Sequence, residues 1–177
     1  QLMSAGADHV PFSELPSHII IASNHGAYAI PMAEHVLAMT LALAKRLVVQ
    51  NENLRRGEFD QFVPNRMLNG LTAGILGFGG IGRATARLMR PFGMSIFAIN
   101  STGQSAEPTD FIGTLRDLEH VLRVSDVVVV SLPLTNATKG LIGKGELDWM
   151  KPDAIIVNVS RGAILEEKAL YGHVRNR

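Results

Sequence analysis

Apolar runs that alternate with amphipathic stretches divide most of the chain into strands and helices. Continuous apolar runs are typical of parallel strands covered on both faces, and they predict strands at 72–76, 95–99, 126–131 and 154–159. Helical periodicity between and after these runs predicts helices at 80–92, 115–123, 146–150 and from 166 to the end. Strands and helices in this alternation predict an α/β fold with a doubly wound parallel sheet.

The longest predicted element is a helix over residues 31–56, which is apolar on nearly all sides in its first half. Pro31 suits its first turn, and Gly57 suits its end. A helix that is apolar all round is buried, so we expect it to lie between two lobes or two subunits. The remaining segments predict a brief strand at 19–22 and polar connections at 58–70 and 100–110.

Composition narrows the classes of protein to which the chain can belong. The 177 residues carry a net charge of +1, so no overall field attracts nucleic acid or an anionic membrane, and we expect neither as a partner. The apolar helix is too short, and too soon interrupted by charge, to cross a bilayer. The chain has no cysteine, which excludes disulfides and suits a reducing, cytoplasmic interior. Its six histidines lack metal-binding spacing, so we expect no metal.

A glycine turn lies between the first strand and the helix that follows it. Gly77, Gly79 and Gly82 have the spacing G-x-G-x-x-G. In this motif the first glycine permits a tight turn, the second lets backbone approach a pyrophosphate, and the third lets helix and strand pack closely. The helix start, with its free N–H groups, then favours a phosphate. Packing turns and methyltransferases use similar patterns, so the motif indicates a dinucleotide without excluding another ligand.

The residue after the second strand bears on which dinucleotide binds. An NAD site commonly has a carboxylate about 20 residues after the glycines, where it binds the ribose hydroxyls. This position holds Asn100, followed by Ser101. An amide oxygen can accept one hydroxyl hydrogen bond and does not repel a 2′-phosphate. No Lys or Arg follows before Pro108 to bind that phosphate. NAD is therefore favoured, and NADP stays open.

Further candidates follow the last two predicted strands, at the edge of the sheet where such folds bind ligands. Arg161 comes directly after the strand 154–159, and arginine suits bidentate recognition of a carboxylate. The alternative is a surface arginine before a turn. Pro133 and Thr138 follow the strand 126–131, where a loop could line the cofactor. Residues 23–28 fit either a surface loop or an anion pocket.

Several separated segments also occur in an order that is typical of one family. They are Ser4-Ala5-Gly6-Ala7-Asp8-His9, Ala33-Glu34-His35, Leu54-Arg55-Arg56-Gly57-Glu58-Phe59, the glycine turn, Ser131-Leu132-Pro133-Leu134-Thr135, Met150-Lys151-Pro152 and Val157-Asn158-Val159-Ser160-Arg161-Gly162. With these segments the chain resembles the D-isomer-specific 2-hydroxyacid dehydrogenases over essentially its whole length. This set is much more specific than the glycine motif alone.

The resemblance implies a Rossmann-type nucleotide-binding domain with a remnant of a second, substrate-binding domain. Residues 1–30 would be the end of the first substrate-domain segment, 31–69 the crossing helix and linker, and 70–177 the dinucleotide-binding domain, incomplete at its C-terminus. Both ends of the chain are expected to continue in a longer protein. Members of the family are usually dimers joined through the nucleotide domain, which agrees with the apolar helix, so we expect a homodimer.

The resemblance also implies roles for individual residues. Arg161 matches the catalytic arginine, and Ala5 and Gly6 match the loop whose N–H groups hold the substrate carboxylate. The residues implied to bind the cofactor are Gly77, Gly79, Gly80, Ile81, Gly82, Asn100, Ser101, Leu132, Pro133, Thr138, Val159 and Ser160. The acid/base histidine of the family and its carboxylate partner would follow residue 177, and none of the six histidines here matches it.

The implied function is hydride transfer between NAD(P) and a small D-2-hydroxy acid or 2-oxo acid. The cofactor would be NAD, with NADP not excluded, and these residues alone would be inactive without the histidine. An alternative is a dinucleotide-sensing binding module of the corepressor type, because a fold does not determine a function. A methyltransferase is disfavoured by the segment Ser160-Arg161-Gly162.

Overall fold

Five parallel strands form one sheet in the computed structural model, which describes residues 1–175. The strand order is β3-β2-β1-β4-β5, and every neighbouring pair is parallel. The strands are β1 (Thr72–Leu76), β2 (Ser95–Ile99), β3 (Phe111–Gly113), β4 (Val127–Val130) and β5 (Ile155–Asn158). The predicted α/β class with a parallel sheet is confirmed, and the four strands predicted from apolar runs after residue 70 all form.

Within residues 1–175, six helices connect or flank the strands. They are α1 (Ala29–Ala44), α2 (Leu47–Arg55), α3 (Gly80–Met89), α4 (Leu118–Val124), α5 (Lys144–Trp149) and α6 (Glu167–Arg175), with 3-10 turns at Phe12–Glu14, Arg90–Phe92, Leu115–Asp117 and Gly162–Ile164. The predicted helix from 166 to the end is present through Arg175, and its last two residues lie outside the described part of the chain. None of the helices in residues 1–175 combines the length and the apolar character needed to cross a membrane.

Each face of the sheet is covered by its own apolar layer. Ile75 points into a cluster with Val36 of α1 and Met89 of α3. The next residue, Leu76, points into the opposite cluster with Leu122 of α4 and Leu147 of α5. This alternation buries both faces, and helices on the two faces make the sheet doubly wound. The long apolar runs in the sequence are a direct consequence of this double cover.

The prediction of one continuous helix over 31–56 is wrong. The segment is two helices, because Arg46 adopts a left-handed conformation with a φ of 53° between α1 and α2. The Arg66 amide donates to the Ala44 carbonyl at 2.8 Å, and Lys45 Nζ donates to the Arg66 carbonyl at 2.8 Å. The returning linker thus satisfies the end of α1 in place of a further helical turn. In the single chain Leu43 and Leu47 are 52% and 53% exposed, so the expected burial between lobes or subunits needs a partner surface that covers them.

Two short segments also differ from the prediction. Residues 19–22 do not form a strand: the segment is held to the N-terminal loop by hydrogen bonds from the Leu2 amide to Ala22 and from the Asn24 amide to Ser4. The polar stretch after β2 leads into an unpredicted edge strand, β3, which pairs with β2 through three residues. A strand of three residues is too short to show a hydrophobic periodicity, which explains why the sequence did not predict it. It forms by pairing with the neighbouring β2.

A buried carboxylate ties the linker to the amino end of the sheet. Asp126 accepts hydrogen bonds from Arg66 at 2.6 Å, Lys151 at 2.9 Å and the Thr72 amide at 2.8 Å. Burial opposes ionisation of Asp126, but the Lys151 hydrogen bond, the Thr72 amide and the two cations outweigh it and lower the pKa of the carboxyl. This network lies at the end of the strands opposite the glycine turn.

Candidate active site

An open cleft of about 1180 Å³ lies across the carboxyl ends of β1, β2, β4 and β5. Its lining includes Gly77 after β1, Asn100 after β2, Ser131 after β4 and Arg161 after β5. The N-terminal loop, at Ala5 to Asp8, closes one side. The strand order reverses between β1 and β4, and ligands of doubly wound sheets bind at such a point. The cleft is therefore the candidate site for both cofactor and substrate.

The glycine turn is held by close contacts that exclude larger residues. Gly77 has a φ of +98°, and a Cβ there would lie 2.7 Å from the Ser131 carbonyl carbon and oxygen. A Cβ at Gly82 would lie 2.2 Å from the Gly77 carbonyl oxygen. A Cβ at Gly79 would meet nothing within 4 Å, so this glycine keeps open the space in front of the helix start. Gly77 thus permits the tight turn, Gly82 permits close packing of the helix, and Gly79 leaves the backbone at the helix start unobstructed.

The amide of Asn100 is committed to its own loop. Its Oδ1 accepts from the Thr102 amide at 3.0 Å and from the Gly103 amide at 2.7 Å, while its Nδ2 donates to the Gln104 carbonyl at 2.8 Å. Asn100 therefore shapes the turn after β2, and its neighbour Ser101 and Arg116 from the turn before α4 also line the cleft there.

The loop after β4 is closed by a threonine. The Thr138 hydroxyl donates to the Pro133 carbonyl at 2.6 Å and accepts from the Thr135 amide at 2.8 Å. Both Pro133 and Thr138 line the cleft, as does the buried Leu132. The hydrogen bonds give this wall of the cleft a defined shape.

The turn that carries Arg161 is built by Asn158 at the end of β5. Asn158 Oδ1 accepts from the amide and the hydroxyl of Ser160, at 3.0 and 2.8 Å, and Nδ2 donates to the Arg161 carbonyl at 2.9 Å. These bonds replace the sheet ladder where the strand ends. They direct Arg161 from the strand end toward the N-terminal loop.

The guanidinium of Arg161 is paired with Asp8, which lies 153 residues earlier in the chain. Nε contacts both Asp8 carboxylate oxygens at 3.2 Å, and Nη2 donates to Oδ1 at 2.9 Å. This hydrogen bonding lowers the pKa of Asp8 and raises the pKa of Arg161, so both groups are charged at neutral pH. The pair is partly open to solvent, because the side chain of Asp8 is 32% exposed and that of Arg161 is 41% exposed.

Comparison with known proteins assigns this architecture to a family. The family profile "D-isomer specific 2-hydroxyacid dehydrogenase, NAD binding domain" matches residues 37–177. The chain belongs to the D-isomer-specific 2-hydroxyacid dehydrogenases. NAD is the dinucleotide of the family's nucleotide-binding domain, and the glycine turn at the cleft has the form that a pyrophosphate requires.

Curated and solved relatives agree with this membership. The chain is 33% identical over 174 residues to the D-3-phosphoglycerate dehydrogenase of Archaeoglobus fulgidus, covering 96% of this chain and 33% of the relative. It is 38% identical over 146 residues to the glyoxylate reductase of Pyrococcus furiosus, covering 78% and 44%. The crystal structure of a glycerate dehydrogenase related protein from Thermoplasma acidophilum has a TM-score of 0.82 and 35% identity, and covers 100% of this chain and 63% of that one.

The chain brings nearly all of its predicted site residues to one cleft. Arg161, Ala5, Gly6 and the predicted cofactor residues line it, with the exception of Gly82. Gly82 is buried one turn into α3, where its small size permits packing on β1. No group of three or more His, Cys, Asp or Glu in residues 1–175 could hold a metal ion.

Several residues at the cleft were not singled out from the sequence. Asp8 occurred in a family segment, but its partner is far away in the chain and gave no local signal. Asn158 could have been found from its place at a strand end, where amide side chains commonly close turns. Arg116 lines the cleft from the turn before α4, and only the fold brings it there. His25 and Tyr28 also line the cleft, and they belong to the segment 23–28 that fitted either a surface loop or an anion pocket.

Proposed function

We propose that the complete protein containing this chain is an oxidoreductase that transfers a hydride between NAD(H) and a small D-2-hydroxy acid or 2-oxo acid. The observation that carries the proposal is the presence of Arg161 in the same cleft as the glycine turn. The turn fits a dinucleotide, and the arginine supplies a cation for an acid beside it. The chain spans 33% and 44% of the two curated relatives described above.

The residues around the glycine turn fit the cofactor. The backbone of Gly79, Gly80 and Ile81 faces the cleft at the start of α3, which favours a pyrophosphate. Ser101 would contact the adenosine end, and Pro133, Val159 and Ser160 would line the remainder. When bound, NAD(H) donates or accepts the hydride. Because Asn100 offers no carboxylate and uses its amide within the loop, NADP(H) remains an alternative cofactor.

Arg161 would bind and orient the acid. Its guanidinium carries donors that match a carboxylate and can also polarise the neighbouring 2-oxo group. The Ala5 and Gly6 N–H groups would form the second anchor from the N-terminal loop, and a Cβ built on Gly6 would lie 2.2 Å from Arg161 Nη2, which supports their proximity to the guanidinium. A general acid would then deliver the proton to the carbonyl oxygen. The family resemblance implies that this general acid is a histidine located after residue 177. We assign the role to none of the six histidines in this chain.

We also propose a homodimer formed through α1 and α2. Support comes from their exposed apolar side chains: Ile30, Met39, Leu43, Leu47 and Val48 are each at least 42% exposed in the single chain. Large apolar side chains that cluster on one surface commonly mark an interface.

We also propose the division into 1–30, 31–69 and 70–177 described above, and the cytoplasmic location stays a prediction.

The test uses the complete protein with NADH or NADPH and a panel of glyoxylate, hydroxypyruvate and pyruvate. We expect reduction of at least one acid, and we expect Arg161→Ala to lower kcat/KM by about 100-fold or more while NADH still binds. Arg161→Lys keeps the charge but not the planar fork, so it should recover only part of the loss. Near-normal turnover in Arg161→Ala would overturn the proposed role.

The corepressor-type alternative lacks a supporting observation. The relatives described above are named as dehydrogenases and reductases, and Arg161, which lines the cleft, would have a direct use in catalysis. A parent protein that binds NADH but reduces no acid in the panel would favour the binding module.

A further inference from the structure

We propose that Asp8 is a positioning residue that orients the Arg161 guanidinium and leaves two of its N–H groups for the substrate. This inference rests on the proposed function and adds a residue to it. The geometry that carries it is the side-on pairing of Asp8 with the Nε and Nη2 edge of Arg161.

Counting donors shows what remains for an acid. A guanidinium has five N–H groups. Asp8 takes the Nε hydrogen and one on Nη2, and the Ser160 carbonyl takes one on Nη1 at 3.1 Å. One N–H therefore remains on each terminal nitrogen. A pair of N–H groups on neighbouring terminal nitrogens matches the spacing of two carboxylate oxygens, or of one carboxylate oxygen and the adjacent 2-oxo oxygen.

The two anchors come from different parts of the chain, and together they define the plane of the guanidinium. Ser160 belongs to the turn that Asn158 closes after β5. Asp8 belongs to the N-terminal loop, where Gly6 allows Arg161 to lie close to the backbone. An arginine held by one side alone would rotate about its side-chain bonds. The Asp8 carboxylate removes that freedom before the substrate arrives, as preorganisation of a binding group requires.

The charge of the pair also fits a positioning role better than a gain in attraction. Asp8 neutralises part of the field of Arg161, so it weakens the long-range pull on an anionic substrate. A carboxylate beside Arg161 therefore does not increase the electrostatic attraction for an anionic acid. We therefore expect loss of Asp8 to affect turnover more than binding of the acid.

The test compares Asp8→Asn and Asp8→Glu in the complete protein with a matched control, Asp153→Asn. Asp153 is also a carboxylate paired with an arginine, Arg66 at 3.3 Å, but it does not line the cleft. Melting temperature and the Kd for NADH check folding. Steady-state kinetics with glyoxylate give kcat and KM separately, and oxamate, an unreactive analogue of a 2-oxo acid, gives the Kd of the ternary complex with NADH.

We expect Asp8→Asn to lower kcat by about 10–100-fold, to change the oxamate Kd by less than fivefold and to leave the NADH Kd within twofold of the parent. Asp8→Glu, which keeps the charge, should recover part of kcat, and Asp153→Asn should match the parent. Asp8→Asn with kcat within threefold of the parent would overturn the inference, as would an equal loss in Asp8→Glu and Asp8→Asn. If Asp8→Asn does not fold, Asp8→Glu decides alone: parental kcat supports positioning by the charge, and loss of kcat with loss of NADH binding indicates a structural role.

A parent protein that neither reduces the 2-oxo acid panel nor binds oxamate would remove the proposed function and this inference with it. A fully active parent with an unaffected Asp8→Asn variant would remove only the inference.

Discussion

Gly6 and Arg161 are in such close approach that only a glycine leaves room for the arginine. A Cβ on residue 6 would lie 2.2 Å from Nη2 of Arg161 and 2.8 Å from Oδ1 of Asp8. The first of these residues is in the N-terminal loop and the second follows the last described strand. Their contact joins the loop to the carboxyl edge of the sheet and places the candidate substrate anchors together.

Gly6→Ala should therefore displace Arg161 without damaging the fold. The added methyl group pushes on the end of a flexible, partly exposed side chain, so we expect a change in melting temperature of less than about 3 °C. In the complete protein, kcat/KM for the 2-oxo acid should fall by about tenfold or more, with an unchanged Kd for NADH. Ala5→Gly, at the neighbouring position, is the control for general changes in the loop. Unchanged kcat/KM in Gly6→Ala would contradict the close contact.

Gly77→Ala should remove dinucleotide binding. The variant combines a left-handed φ with a Cβ 2.7 Å from the Ser131 carbonyl, a backbone group that cannot move aside cheaply. We expect loss of NADH binding by at least about tenfold and a lower melting temperature. Gly57→Ala is the matched control, because Gly57 has a φ of +75° but nothing within 4 Å of the added Cβ. It should cost only about 1 kcal/mol of stability and leave NADH binding intact. Equal NADH binding by Gly77→Ala and the parent would count against the turn as the pyrophosphate site.

Asn100→Asp should sharpen the choice between the two dinucleotides. A carboxylate at this position can accept ribose hydroxyl hydrogen bonds and repels a 2′-phosphate. We expect the ratio of the NADPH Kd to the NADH Kd to rise by about tenfold, as measured by nucleotide fluorescence titration. The substitution also removes the Nδ2 donor to the backbone carbonyl of Gln104, so Asn100→Ala, which loses this bond without gaining a carboxylate, serves as the control for the loop itself. A ratio that stays constant in Asn100→Asp would show that the ribose is bound elsewhere.

Leu43→Lys should convert a dimer into a monomer. Leu43 is 52% exposed on α1 in the single chain. In the proposed interface the lysine ammonium would be buried without a partner, which destabilises the dimer. Light scattering with size-exclusion chromatography should give a dimer for the parent and a monomer for the variant. Val174→Lys, which changes a 67% exposed valine on α6, should remain dimeric. A parent that is monomeric at micromolar concentration would contradict the proposed interface.

Asp126→Asn should weaken the fold chiefly at neutral pH. The folded state lowers the pKa of Asp126 below its ordinary value, so its contribution to stability is complete above the unfolded pKa and is lost as the pH falls through the folded pKa. We expect the variant to lose about 1–3 kcal/mol at pH 7, as measured by urea unfolding. As the pH falls below the ordinary aspartate pKa of about 4, the free energies of unfolding of parent and variant should converge. Parallel curves over that range would show that Asp126 is not the titrating group.

Much of the fold follows from local pattern alone. β1 and β2 have the predicted bounds because strands buried on both faces must be continuously apolar, and this requirement is visible without any partner. The glycine turn is equally local, since its strand, glycines and helix are consecutive. The place of Arg161 at the edge of the sheet also follows, because a residue after a parallel strand lies at its carboxyl end. Family membership needed several separated segments, each of which could be read directly.

The tertiary structure decided what depends on distant partners. β3 exists because β2 offers it an edge, and α1 stops at Ala44 because Arg66 returns to bond its carbonyl. The sequence left the side-chain amide of Asn100 free to face a ribose. In the structure its Oδ1 accepts from the Gly103 amide and its Nδ2 donates to the Gln104 carbonyl, so the loop after β2 uses both groups. The pairing of Asp8 with Arg161 joins residues 153 positions apart. Hydrophobic periodicity is a property of neighbouring residues, whereas a hydrogen bond or ion pair between distant segments arises only when the packed sheet brings their side chains within about 3 Å.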